Sequence, residues 1–255
     1  MKLFRSTLAC ALLLSFLTPA YAAVEVYPMM STISAKDNGL GELKILSRSD
    51  VTQYIQVSVM RVTHPGTDHE KNVPVSPVDE PTLVASPQRL ILEPRQVHVV
   101  RLIVEGSPNK ETLYRVAIKP VAAPTAGVDH PASGISTSVG LSIVWAPLVT
   151  VAPAVSAPAW SIDRVHGVLA NDGNVHLGVD KVAYCASETD ANSCRWQSVK
   201  HIVYVGEKLG LDARPDRPGD TFRIEYKTPD GQVRNEARGP SPQPVRDMRA
   251  VKHDN

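Results

Sequence analysis

Apolar and polar positions alternate in short runs along most of this chain. QYIQVSVMRVT (53–63), RLILEP (89–94), VHVVRLIVEG (97–106), LYRVAIKPV (113–121) and LSIVWAPLV (141–149) are rich in Val and Ile and bounded by Pro, Gly, Asn or Asp. After VTVAPAVSAPAW (149–160) the pattern resumes with DRVHGVLAN, GNVHLGVDKVAYC, KHIVYVG and TFRIEYKT. A two-residue period in runs of this length predicts strands with one face in a core. No stretch carries a helical stripe of three turns. Strands at roughly 8- to 12-residue spacing with turn signals between them predict an all-β chain of sandwich or barrel units. Residues 147–160 read as a linker between two such units. PVAAPTAGVDHPASG (120–134) reads as a mobile loop, and the Pro-rich charged segment 238–255 as a disordered tail.

The first residues change the picture by setting a compartment. MKLFRS is basic, LACALLLSFL is apolar and TPAYAA ends in a small-residue pattern, the order of a secretory signal peptide. Cleavage is expected after Ala22, leaving about 230 residues, which suits two domains better than one. The apolar run is too short to span a bilayer, and none later is long enough, so no stable membrane insertion is expected. Beyond Cys10 the cysteines are Cys185 and Cys194, an even pair in an exported protein, which predicts a disulfide.

Charge and motifs exclude more than they assign. Lys plus Arg and Asp plus Glu nearly balance at a formal net charge of +1, and no basic run is interleaved with aromatics, so no nucleic-acid partner is expected. The chain carries no G-x-S-x-G, H-E-x-x-H or P-loop, and neither an enzyme nor a cofactor is expected. His64 and His69 in THPGTDHE are the nearest approach to a metal pair; without tight spacing on a strand they read as surface residues, and no metal is assigned.

SVGLSIVWAPLVTVAP (138–153) places Val139, Leu141 and Ile143 on one face, with Gly140 and Ser142 on the other. Such a strand serves either its own core or a partner's groove. The surroundings bear on the choice: SPQRLILEPRQVHVVRLI (86–103), KETLYRVAIKP (110–120), and NDGNVHLGVDKVAYC followed by Cys194 resemble, in order, segments of the periplasmic pilus chaperones related to PapD. The second half is similar to the alternate branch that assembles CFA-type fimbriae.

This resemblance implies two immunoglobulin-like β-sandwich domains in a boomerang, with a signal peptide over 1–22. The first domain would span 23–153 with its donor G strand, the second 154–237, before the tail 238–255. It implies a chaperone that lends its G strand to a fimbrial subunit, with an outer-membrane usher as second partner. Val139, Leu141 and Ile143 become the donor residues; an alignment on Trp145 would shift the set toward Ile135, Thr137 and Val139. An exposed apolar strand also invites self-capping as a homo-oligomer. The rival readings are a periplasmic metal-binding or enzymatic β-sandwich and a structural pilus subunit.

The family's two basic anchors for the subunit's terminal carboxylate do not carry over. Met30 stands at one place, and Leu148 or Ser142 at the other. A carboxylate in a cleft still needs a cation. Arg115 and Lys119, four apart on one strand face, are the candidates, with Lys44 a third. The resemblance further implies an ion pair of Arg101 and Glu111 near the domain junction, joined by an acid of the second domain, for which Asp230 is the candidate.

Overall fold

A computed structural model describes residues 23–75, 82–106, 108–123, 143–187, 190–217 and 219–239. In chain order the strands are β1 Val24–Tyr27, β2 Met30–Ile33, β3 Leu40–Ser47, β4 Gln53–Thr63, β5 Lys71–Pro74, β6 Thr82–Ser86, β7 Arg89–Leu92, β8 Val97–Glu105, β9 Thr112–Val121 and β10 Leu148–Val151. They build two facing sheets, one ordered β1-β3-β8-β6 and one ordered β2-β10-β9-β4-β5 with β7 added to β4. The alternation read from the sequence explains the pairing. Leu43 and Ile45 of β3, Ile55 and Val57 of β4, and Tyr114, Val116 and Ile118 of β9 all point into one core. The intervening residues face outward.

The second unit repeats the plan with β11 Trp160–Asp163, β12 Val168–Asn171, β13 Leu177–Cys185, β14 Cys194–Val203, β15 Lys208–Gly210, β16 Thr221–Lys227 and β17 Val233–Arg238. A β11-β12-β15 sheet faces a β14-β13-β16-β17 sheet. Trp160, Tyr184, Phe222 and Tyr226 fill a core separate from the first. Helix is confined, among the described residues, to single 3-10 turns at Ala35–Asp37 and Ala191–Ser193. No helix among them is long and apolar enough to cross a membrane. Cys185 and Cys194 stand opposite each other across β13 and β14 and form the expected disulfide.

The linker reading of 147–160 needs correction at its start. Leu148–Val151 is strand, antiparallel to β9 and parallel to β2, and Val149 and Val151 are buried. The strand read as running from Leu141 is in turn interrupted. Trp145 and Ile118 exchange both backbone bonds, whereas Pro147, lacking an N–H, only accepts from Val116. A further edge strand, β17, reads as polar sequence (VRNEAR) and carries no alternation signal. Its Glu236 is nevertheless structural, accepting from Trp160 Nε1 at 2.8 Å and from the Tyr226 hydroxyl at 2.6 Å.

Candidate functional site: a strand edge beside the domain junction

The chain enters β10 from the segment that holds the expected donor residues. Val139 and Leu141 lie outside the described residues; Ile143 lies within them. Ile143 shares the parity of Trp145, Pro147, Val149 and Val151, all of which turn inward. Ile143 alone of that series is half exposed, at 50 %, and its neighbour Val144 is at 47 %. The inward face of this strand therefore runs out of its own core at Ile143 and presents an aliphatic side chain to solvent. Trp145 fixes where that happens: its indole packs on the first core and donates to the Val24 carbonyl at 2.7 Å.

Arg115 sits on the outward face of β9, the strand next to β10, between Leu148 of β10 and Met60 of β4. Its Nη2 donates to Glu70 Oε1 at 2.8 Å, and both side chains are about one-third exposed. Glu70 ends the loop joining β4 to β5, and its second oxygen accepts from the Gly66 N–H at 2.9 Å. That N–H, and next the Arg115 guanidinium, hold the Glu70 carboxyl below its ordinary value. Lys119 lies further along the same face, exposed opposite Gln56. Lys44 does not join them. It projects from the outer face of the opposite sheet, where it meets Glu42 at 3.4 Å. The whole sandwich stands between Lys44 and Arg115, so the two cannot grip one carboxylate.

The structure does not assemble the expected Arg101–Glu111–Asp230 group. Arg101 is exposed on that opposite sheet, facing Glu42 across β3 and β8. Asp230 closes the β16–β17 turn, accepting from the Thr228 hydroxyl and the Gln232 N–H. Those bonds, Thr228 first, lower its carboxyl pKa. Glu111 alone is at the junction, with its side chain 1 % exposed, and both oxygens lie 2.8 Å from His176 Nδ1. A buried carboxylate requires a partner, and the residue just ahead of β13 supplies it. In the sequence that partner is only the His of GNVHLG, two residues after a turn, which carries no signal of its role.

That turn, Asn171-Asp172-Gly173-Asn174, fastens the units. The Asn174 carbonyl accepts from Glu111 N–H at 2.8 Å, and its side-chain amide donates to the Asn109 carbonyl at 3.1 Å and the Val155 carbonyl at 2.8 Å. Buried Asn171 bridges the Val175 and Val203 carbonyls at 2.9 and 2.8 Å. Gly173 allows the close approach: a Cβ there would stand 2.4 Å from Ala159 N and 2.7 Å from Ala157 O. On the other side of the junction, His64 meets Glu207 at 3.1 Å. Between these contacts lies a cleft of about 260 Å³ lined by Arg61, Lys110, Leu113 and Tyr204 among others. Burial first, and then the nearby Glu111 and Glu70 charges, push the Tyr204 hydroxyl up. Among the described residues no three His, Cys, Asp or Glu side chains gather as metal ligands.

The comparisons with known proteins fit this architecture. The fold is that of the class 5 fimbriae chaperone CfaA: its crystal structure superposes with a TM-score of 0.72 over 86 % of this chain and 99 % of that one, at 22 % identity. A chaperone–tip adhesin complex of CFA/I fimbriae biogenesis contains a chain that superposes with a TM-score of 0.69 at 23 % identity, over 86 % of this chain and all of that one. By sequence, the chain is 28 % identical over 192 residues to a CFA/I fimbrial subunit of Escherichia coli, covering 72 % of this chain and 78 % of the relative. It is 28 % identical over 199 residues to a CS1 fimbrial subunit of Escherichia coli, covering 74 % and 80 %. No family model matches the chain.

Proposed function

We propose that this chain is a periplasmic chaperone that binds, folds and caps fimbrial subunits by lending them a strand, and hands them to an outer-membrane usher. The observation that carries the reading is Ile143, an apolar side chain left in solvent by the same alternation that buries Val149 and Val151. A fimbrial protein lacking its last strand exposes an apolar groove and an unpaired edge. The segment holding Val139, Leu141 and Ile143 would supply backbone bonds to that edge and side chains to that groove. Burying three such side chains contributes roughly 5 to 8 kcal/mol before ordering costs. Arg115, two strand positions from the cleft-lining Leu113, is the candidate to receive the client's terminal carboxylate, and Lys119 is the second. The domain limits that go with this role are 23–153 and 154–237, after removal of 1–22. Free chaperone would shield its strand by pairing with a second copy.

Both Escherichia coli relatives are called fimbrial subunits, which favours a second reading, that the chain is itself a fibre component. Against it stands β10, which fills the last-strand position of the first sandwich from the chain's own sequence. A domain so completed needs no strand from a neighbour. Co-expression with a fimbrial client tests both. The wild type should keep the client soluble in a one-to-one complex, Leu141→Asp should abolish the complex and Arg115→Ala should weaken it. Equal recovery from all three proteins rules out strand donation, and finding the chain within assembled surface fibres supports the rival.

A further inference from the structure

We propose that Glu70 is a built-in stand-in for the client's terminal carboxylate: it occupies Arg115 in the free protein and must be displaced before a client chain end can dock. The inference rests on the reading of Arg115 as anchor and names the residue that regulates it.

Charge at the junction is balanced pair by pair. Three acid–base pairs line the junction, and each carboxylate has one partner: Glu111 has His176, Glu207 has His64 and Glu70 has Arg115. The cross-strand neighbours of Arg115, Leu148 and Met60, are apolar and bring no further charge; the other cations of the cleft lining, Arg61 and Lys110, stand on β4 and ahead of β9. A client carboxylate arriving at the paired guanidinium would place two anions on one cation beside a partly enclosed cleft, an arrangement that repulsion disfavours. Exchange of one carboxylate for the other keeps the balance.

Glu70 is also easily released. Glu70 engages only Nη2 of Arg115, and each side chain is about one-third exposed, so water reaches the contact. Its second oxygen keeps the Gly66 N–H whether or not Arg115 is held, so a displaced Glu70 remains hydrogen-bonded and solvated. The loop that presents it is ordered without Arg115. The Thr67 hydroxyl donates to the His64 carbonyl at 2.8 Å, Glu70 N–H donates to the Thr67 carbonyl at 3.1 Å, and His64 is tied to Glu207. Glu70 is therefore held near Arg115 without depending on it, as a competitor should be. The consequence is specificity: a chain end carrying a carboxylate can replace Glu70, and a neutral one cannot.

The test uses the full oxidised chain and acetate as probe at constant ionic strength, with acetamide as the neutral control. The Nε–Hε NMR signal of Arg115 is followed, with that of Arg101, exposed on the opposite sheet, as reference for unspecific binding. In Glu70→Gln, which keeps side-chain volume, Arg115 should respond at roughly three- to ten-fold lower acetate than in wild type, while Arg101 and the acetamide series stay unchanged. Glu70→Asp, whose shorter side chain withdraws from Arg115, should move in the same direction. An equal or higher acetate midpoint in both variants overturns the stand-in. If Arg115 responds ahead of Arg101 with the same midpoint in every protein, the anchor survives and the stand-in does not. If Arg115 merely follows Arg101 throughout, both fall.

Discussion

Removing His176 should loosen the two domains from each other at a cost set by the carboxylate it leaves behind. Glu111 is 1 % exposed at its side chain, and both its oxygens are directed at His176 Nδ1 at 2.8 Å. His176→Ala leaves that carboxylate buried with only the distant His176 backbone N–H, at 3.5 Å. Breaking one side of a fully buried pair typically costs about 3 to 5 kcal/mol; His176 is one-quarter exposed, so water can enter and about 2 to 3 kcal/mol is expected here. Glu111→Gln relieves the loss, because an amide needs no cation, and the double variant should recover about 1 to 2 kcal/mol relative to additivity. Urea unfolding followed by the fluorescence of Trp145 in the first domain and of Trp160 and Trp196 in the second measures both quantities. His176→Ala should lower both midpoints with unchanged far-ultraviolet dichroism. A His176→Ala midpoint equal to wild type, with a coupling below about 0.5 kcal/mol, would refute the claim that this pair fastens the junction.

Three other outcomes follow from the packing. Replacing Cys185 and Cys194 by Ser frees a nine-residue separation and should cost about 2 to 3 kcal/mol of second-domain stability by loop-closure entropy, read in denaturant melts; an unchanged midpoint speaks against it. Gly173→Ala forces a methyl into the backbone of Ala157 and Ala159 and should destabilise by about 1 to 3 kcal/mol, with faster amide exchange at Glu111 and Asn174, whereas Gly210→Ala, at an exposed glycine with open space around it, should leave those amides unaffected. Tyr226 is pushed up to about 12, by burial first and then by its bond to Glu236. An unfolded tyrosine ionises near 10, so between about 10 and 12 only the unfolded state gains by losing its proton, and second-domain stability should fall as pH rises through that window. Ultraviolet titration of Tyr226→Phe against wild type should remove one late-ionising phenol; two identical curves would contradict the assignment.

Strand alternation made much of the fold legible in the chain itself. QYIQVSVMRVT is β4 to the residue, VHVVRLIVEG overruns β8 by one residue and GNVHLGVDKVAYC starts four residues ahead of β13, because a half-buried strand must alternate but its ends are set by turns. The disulfide was equally legible, since two cysteines in an exported chain have few alternatives. VRNEAR was not, because an edge strand takes its place from backbone pairing and carries polar side chains on both faces. Nor was the partner of Glu111. Arg101 and Asp230 have suitable charges, yet strand parity sends Arg101 outward and a hairpin turn occupies Asp230. A histidine beside a turn gives no comparable signal.

Local order along the chain was thus sufficient to specify an all-β architecture, its cores, its cysteine pair and the apolar series running toward Ile143. Which charges meet was decided only by folding. Alternation fixes the face on which a side chain leaves its strand, a property of two or three residues. Pairing Arg115 with Glu70, or Glu111 with His176, depends on how loops and domains separated by 45 and 65 residues close upon one another, which no local pattern encodes.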